Sequence, residues 1–73
     1  MRVLIIGIGG QDGRILANKL SRKQYQVFGV SNKPVAKSYK IENVIYFTHD
    51  ISDPQIFNKL LEGIRPNFIF HLA

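Results

Sequence analysis

The stretch GIGGQDG, residues 7–13, holds four of the six glycines in this 73-residue chain. It overlaps the end of RVLIIG (2–7), an apolar run of branched side chains that ends on glycine and is typical of a buried strand. From Gln11 to about Lys23, apolar residues recur at helical spacing. A strand, a glycine-rich turn and a helix start, in that order, favour a turn that binds the phosphates of a dinucleotide.

The glycines fit the spacing G-x-x-G-x-x-G through Gly7, Gly10 and Gly13. One glycine lets the chain turn, one removes a Cβ so that a pyrophosphate can approach the backbone, and one lets the helix pack against the strand. We expect Asp12 to turn away from the phosphates and to accept hydrogen bonds from the first turn of the helix. Gln11 can face either way. The alternative is an ordinary strand-to-helix turn whose glycines only relieve strain.

Strands and helices alternate along the rest of the chain. A strand (25–31), a polar connection that contains lysines, a strand (43–47), a helix and a final strand (67–73) follow in that order. Ser52 or Asp53 caps the second helix, with Pro54 in its first turn. Gly63 and Pro66 mark its end.

The order β-α-β-loop-β-α-β predicts an α/β fold with a parallel sheet covered on both faces. Right-handed crossovers give the strand order 3-2-1-4, which is the amino-terminal part of a doubly wound Rossmann fold. One flank of that sheet stays open where a fifth strand would join. We therefore expect residues 1–73 to form an NAD(P)-binding half-domain, truncated before the catalytic and substrate-binding regions.

The corner after the second strand indicates which dinucleotide binds. An NAD site usually has an acid there for the ribose 2′-hydroxyl, but this chain has Asn32 and Lys33 and no acid between Asp12 and Glu42. Arg14 begins the neighbouring helix. Such a neutral-to-basic corner suits a 2′-phosphate, so NADP is favoured over NAD. The alternative is a solvated loop that contains one lysine.

Residues that follow the third strand lie at the carboxyl edge of the sheet, where ligands bind in such folds. The Asp50 carboxylate could accept a hydrogen bond from an adenine amino group, with Ile51 against the base. The alternative is that Asp50 only helps to cap the next helix. We expect His49 to lie at the surface and His71 to lie in or at the end of a core strand.

Ten Lys and Arg against five Asp and Glu give a formal net charge of +5. The cations form no basic run, so an anionic small molecule is expected as the partner rather than nucleic acid. No cysteine is present, and the two histidines are too far apart in sequence to suggest a metal site. The lack of cysteine fits a cytoplasmic protein, and no apolar run is long enough to require a membrane.

Three segments together resemble the extended short-chain dehydrogenase/reductase family of nucleotide-sugar enzymes, also called the NAD-dependent epimerase/dehydratase family. They are IIGIGGQDG (5–13), HDISD (49–53) and PNFIFHLA (66–73). The GQDG segment is most similar to the GDP-mannose 4,6-dehydratases. The resemblance implies that the glycines of the motif bind the cofactor phosphates, that Asp50 and Ile51 bind adenine, and that Leu72 and Ala73 line the cofactor.

The resemblance also implies a catalytic Tyr-x-x-x-Lys pair, which this chain lacks. Its tyrosines are followed four positions later by Gly29, Asn43 and Asp50, so no catalytic residue is assigned. We therefore interpret the chain as the cofactor-binding part of an NADP-dependent 4,6-dehydratase, with a sugar substrate only if the chain continues. The alternatives are an epimerase or reductase of the same family, or a stand-alone non-catalytic module whose open flank is covered by a partner, for instance in a homodimer.

Overall fold

The computed structural model describes residues 1–72 and contains a four-stranded sheet with two helices. The elements are β1 (Arg2–Ile6), α1 (Gln11–Arg22), β2 (Gln26–Ser31), a short 3₁₀ helix (Lys37–Tyr39), β3 (Val44–Thr48), α2 (Pro54–Ile64) and β4 (Phe68–His71). All neighbouring strands are parallel, in the order β3-β2-β1-β4. The predicted fold class and strand order are confirmed, whereas the 3₁₀ helix lies in a connection predicted to be irregular.

The core lies on both faces of β1, one of the two inner strands of the sheet. Residues 3–6 are at most 2% exposed. Because side chains alternate along a strand, Val3 and Ile5 pack with α1 on one face, and Leu4 and Ile6 pack with α2 on the other. The connection between β2 and β3 also packs on the α1 face, through Val35 and Ile41. This face is therefore covered by one helix and one ordered loop.

The second helix begins and ends where the sequence predicts. Asp53 is its N-cap, and the Asp53 side chain accepts a hydrogen bond of 2.9 Å from the Gln55 amide. The helix ends at Ile64, between Gly63 and Pro66, and Arg65 adopts the left-handed conformation with φ of 52°. The following proline disfavours the right-handed helical conformation at Arg65, which explains why the helix stops there.

The edge strand β4 differs from the prediction of a buried strand. Phe68 is 52% exposed, and all four residues of β4 are exposed. Such a strand needs a neighbour on both sides and a helix over each face to become buried, and β4 pairs with β1 alone. His71, expected at a core strand, therefore lies at the exposed end of an edge strand.

Candidate functional site

The glycine-rich turn joins β1 to α1 at the carboxyl edge of the sheet. Gly7 has φ of 87°, a conformation that glycine adopts without a Cβ clash. Its amide donates a 2.9 Å hydrogen bond to the Val30 carbonyl of β2, and the Gly10 amide donates a 3.3 Å bond to the Gly7 carbonyl. The hydrogen bonds that hold the turn are thus between backbone groups.

Gly13 and Gly10 lack a side chain for different reasons. A Cβ at Gly13 would lie 2.7 Å from the Gly7 oxygen and 2.7 Å from the Ile8 Cα, both of them backbone atoms. The helix therefore packs against the turn only because residue 13 is glycine. A Cβ at Gly10 would meet only the Gly7 oxygen, at 3.7 Å, which is an ordinary contact. Nothing in the fold requires glycine at position 10, and its bare backbone is open to a ligand.

The first turn of α1 has no side-chain cap. Gly10 is the N-cap residue, and the first amide bonded back to it is that of Arg14, at 3.1 Å. The predicted hydrogen bonds to Asp12 are absent among residues 1–72, because an N-cap acceptor comes from the residue before the helix and Asp12 is already inside it. Among residues 1–72, the amides of Gln11, Asp12 and Gly13 donate no hydrogen bond. These donors and the positive end of the helix dipole attract an anion.

Ile8 anchors the turn and was missed in the sequence interpretation. Its side chain is fully buried in the core of the α1 face. It occupies the space above Gly29 of β2, where an added Cβ would lie 2.7 Å from the Ile8 Cγ2 and 2.9 Å from the Ile8 Cβ. The single glycine within the second strand was the signal that a neighbouring group approaches closely there.

The turn shares a cavity of about 400 Å³ with the corner that follows β2. Its lining comprises Gly9, Gly10, Ser31, Asn32, Lys33, Pro34, Val35, Ala36 and Tyr39. The Ser31 hydroxyl donates to the Lys33 carbonyl and holds the chain in this bend. The predicted phosphate turn and the predicted 2′-phosphate corner therefore face one space. Asn32 and Lys33 are both exposed to it.

Arg14 lies next to this cavity rather than in its lining. It borders a neighbouring cavity of about 440 Å³ together with Gln11 and Tyr39. The Arg14 Cζ stands 4.5 Å from the centroid of the Tyr39 ring, which is a cation–π contact. Tyr39 was not singled out in the sequence, where it appeared as one aromatic residue in a polar connection.

The segment after β3 forms a tight turn of its own. One Asp50 oxygen, Oδ1, accepts hydrogen bonds from the Ser52 amide (3.0 Å) and the Ser52 hydroxyl (2.6 Å). The hydroxyl first, and then the amide, lower the pKa of Asp50 below its ordinary value of 3.8. Ser52 thus donates both of these hydrogen bonds to Asp50 and does not cap α2. Ile51 is half-buried against the core of the α2 face, and neither Asp50 nor Ile51 lines the cavity at the glycine turn.

The remaining residues considered at this edge lie on either side of the turn. The Leu72 amide donates a 2.8 Å bond to the Ile6 carbonyl, so Leu72 lies beside the end of β1. Ala73 lies outside the described residues. His49 is exposed, as expected, and its ring stacks on Phe47 with centroids 6.2 Å apart. Within residues 1–72, no three His, Cys, Asp or Glu side chains are placed to hold a metal ion, and no helix is long and apolar enough to cross a bilayer.

Comparison with known proteins matches residues 4–73 to the family model of GDP-mannose 4,6 dehydratase. The GDP-mannose 4,6-dehydratase of Yersinia enterocolitica is 31% identical over 99% of the chain, which spans 23% of that enzyme. UDP-glucose 4-epimerase of Thermotoga maritima, solved with UDP-glucose, superimposes on all of the chain with a TM-score of 0.89, at 27% identity and over 24% of its own length. WbmH of Bordetella bronchiseptica, solved with NAD+, gives 0.83 at 27% identity, covering 99% of the chain and 25% of WbmH. The chain therefore spans about a quarter of the length of each of these proteins.

Proposed function

This chain belongs to the GDP-mannose 4,6 dehydratase family, and we propose that it binds the phosphates and the adenosine end of NADP as the cofactor-binding portion of a nucleotide-sugar 4,6-dehydratase. The observation that carries this proposal is the uncapped start of α1 at Gly10, open to the same cavity as Lys33. A cavity that joins free helix amides to a cation suits a ligand with phosphates at more than one position. The family membership and the strand order are those of a cofactor-binding half-domain.

Each site residue has a proposed task in holding the cofactor. The pyrophosphate binds to the bare backbone at Gly10 and to the amides of Gln11 and Asp12. Asn32 and Lys33 contact the ribose and its 2′-phosphate. The Asp50 oxygen that is not bonded to Ser52 accepts from the adenine amino group, beside Ile51. Leu72 and Ala73 line the cofactor, and Gly7 and Gly13 shape the turn. The nicotinamide, when bound, supplies transient hydride transfer with the sugar, and residues 1–73 contribute binding rather than catalysis.

The preference for NADP rests on the charges around the corner. Lys33, Lys37 and Lys40 lie in the β2–β3 connection, and Arg14 faces it from α1. No carboxylate stands where an NAD site would need one for the ribose 2′-hydroxyl. WbmH was solved with NAD+, so the related fold also accommodates the cofactor without the extra phosphate. We further propose a cytoplasmic location, which the lack of cysteine fits.

A UDP-sugar epimerase of the same fold is the second candidate. The observation that favours it is the superposition on UDP-glucose 4-epimerase over the whole chain. Both activities start from hydride transfer between the sugar and a bound nicotinamide, so the cofactor portion alone suits either. The family match to the dehydratases favours GDP-mannose as the substrate.

Calorimetric titration of NADP and NAD into the protein as the cell produces it tests the proposal. We expect both dinucleotides to bind, with NADP about ten-fold tighter because a charge-assisted contact to the 2′-phosphate is added. Incubation with GDP-mannose should then give the 4-keto-6-deoxy product, detected by mass as the loss of one water. Conversion of UDP-glucose to an isomer of the same mass, separated by chromatography, would instead favour the epimerase. Failure to bind any dinucleotide would refute both candidates.

A further inference from the structure

Tyr39 is the residue that connects Arg14 with the cavity at the glycine turn. Among the described residues, it alone lines both the cavity shared with Gly10 and the neighbouring cavity bordered by Arg14. Its ring lies 4.5 Å from the guanidinium carbon of Arg14. A guanidinium on an exposed helix would otherwise be free to move over several rotamers, and an aromatic face restricts it.

The position of Tyr39 is itself fixed by the loop that carries it. The Tyr39 amide donates a 2.8 Å hydrogen bond to the Ala36 carbonyl, which closes the 3₁₀ helix. Two residues further on, the Ile41 amide donates a 2.7 Å bond to the hydroxyl of Tyr46 in β3. Val35 and Ile41 pack into the core of the α1 face on either side. The backbone that carries the ring is therefore fixed at the cavity wall before any ligand arrives.

We propose that Tyr39 is a positioning residue for cofactor choice: it holds the Arg14 guanidinium at the boundary between the two cavities, from which the guanidinium pairs with the 2′-phosphate of an NADP bound in the cavity of Asn32 and Lys33. This inference rests on the proposed function, since it assigns a specificity device to the same site. A planar guanidinium binds two phosphate oxygens at once, and one that is already in place loses less conformational freedom on binding. Tyr39 acts through Arg14, and NAD, which lacks the 2′-phosphate, gains nothing from the pair.

Four variants of the natural protein test this inference by titration with NADP and with NAD. Arg14→Met removes the guanidinium, and Tyr39→Leu removes the aromatic face while keeping an apolar side chain. Tyr39→Phe keeps the ring and loses only the hydroxyl. Arg22→Met, at the far end of α1, is the matched control because it removes one cation from the same helix away from the cavity. Thermal unfolding of each variant without ligand tests whether the fold is intact. We expect it to be intact in the Tyr39 variants, because Tyr39 is 53% exposed.

We expect Arg14→Met to weaken NADP about ten-fold and to leave NAD unchanged within about two-fold. Tyr39→Leu should weaken NADP about three-fold with NAD unchanged, as the loss of one cation–π contact predicts, and Tyr39→Phe should restore the wild-type ratio. The double variant of Arg14→Met and Tyr39→Leu should behave like Arg14→Met alone, because the tyrosine acts through the arginine.

The outcomes separate this inference from the proposed function. If the unaltered protein binds no dinucleotide, the proposed function fails and the inference fails with it. If it binds NADP and NAD but Tyr39→Leu weakens both equally, Tyr39 supports only the loop and the inference alone is overturned. The inference is also overturned if Tyr39→Leu leaves the ratio of the two affinities unchanged, or if Tyr39→Phe is as damaging as Tyr39→Leu.

Discussion

The two helices of this protein begin at the same edge of the sheet, but their N-termini are capped differently. In α2, the Asp53 carboxylate accepts a bond from the Gln55 amide, so the chain itself satisfies the helix start. In α1, the N-cap is Gly10, and no side chain takes that role. Both helices direct the positive end of their dipole toward the same edge. Among residues 1–72, three amides at the start of α1 (residues 11–13) have no hydrogen-bond partner, whereas at the start of α2 the Ile56 amide alone has none.

In the proposed function, the binding site is therefore made by leaving out a capping side chain. Glycine at an N-cap costs the helix only roughly a few tenths of a kcal/mol relative to serine or aspartate, so the open start of α1 is cheap for the fold. At α2, the adjoining Asp50–Ser52 turn adds two further hydrogen bonds and makes that end rigid and self-contained. Changes at four positions test the contrast, beginning with the largest expected effect.

Gly13→Ala should destabilise the protein by about 3 kcal/mol, because the new methyl group is forced against backbone atoms of the turn. The matched control is Gly63→Ala in α2, where an added Cβ meets no atom within 4 Å. That change should stabilise by about 0.5–1 kcal/mol through helix propensity. Urea denaturation of both variants measures the difference, and a loss below about 1 kcal/mol at Gly13 would contradict the close packing of α1 on the turn.

Gly10→Asp should give α1 a cap like that of α2 and should remove the binding site. We expect dinucleotide affinity to fall about a hundred-fold or more, since a carboxylate within a few ångströms of the pyrophosphate repels it, while the free energy of unfolding stays the same or rises slightly. Gly10→Asn is the control, because it caps equally well without the charge. Equal losses for the two variants, at low and at high salt, would show that no phosphate lies at Gly10.

Asp53→Ala should open the start of α2 and cost about 1 kcal/mol of stability, the usual value of an N-cap. Asp53→Asn keeps the acceptor and should cost much less. Neither change should alter dinucleotide affinity, because α2 does not face the cavity at the glycine turn. Thermal unfolding measures the stability, and calorimetry measures the affinity for the dinucleotide. Weaker binding by a variant that is still folded would show that the starts of the two helices are coupled.

Ser52→Ala should produce the smallest effect, a rise in the pKa of Asp50. Its hydroxyl is the largest cause of the lowered pKa, and the remaining Ser52 amide bond should keep the value somewhat below 3.8. Because the folded-state pKa lies below the unfolded one, the stabilisation is complete above pH 3.8 and is lost as the pH falls through the folded value. An NMR titration of the Asp50 carboxyl carbon measures the shift, and an unchanged pKa in Ser52→Ala would rule out the hydroxyl bond.

The alternation of strands and helices was predictable because it depends on local patterns. The apolar runs, the glycine spacing and the Asp53-Pro54 helix start are each read from a few neighbouring residues. The strand order then follows from the handedness of crossovers, a general rule for parallel sheets. The burial of β4 was predicted wrongly because FIF (68–70), like the buried run VLII, contains only apolar residues, and apolar character does not reveal how many neighbours a strand has.

The parts of the site that were missed depend on contacts between distant segments. Ile8 fills the space above Gly29, and Tyr39 meets Arg14 across 25 positions of sequence. Gly29 indicates that some group approaches β2 closely but does not say which one, and the Tyr39–Arg14 pair forms only when the β2–β3 connection folds over the α1 face. The binding roles of the glycine turn, the corner at Asn32 and Lys33, and the segment at Asp50 stay predictions that titration with the two dinucleotides addresses.

The place of β1 in the sheet has a consequence for how the molecule is made. β1 is an inner strand, and one of its two neighbours is β4: just before β4, the Asn67 side chain accepts a hydrogen bond from the Arg2 amide, 65 residues away, at 2.8 Å. During synthesis β1 therefore leaves the ribosome well before β4 and stays unpaired on one side until β4 follows. Contacts of such long sequence separation form slowly, because a large loop must close before they contribute. Until then β1 has an unpaired edge, which is the kind of surface on which incompletely folded chains aggregate.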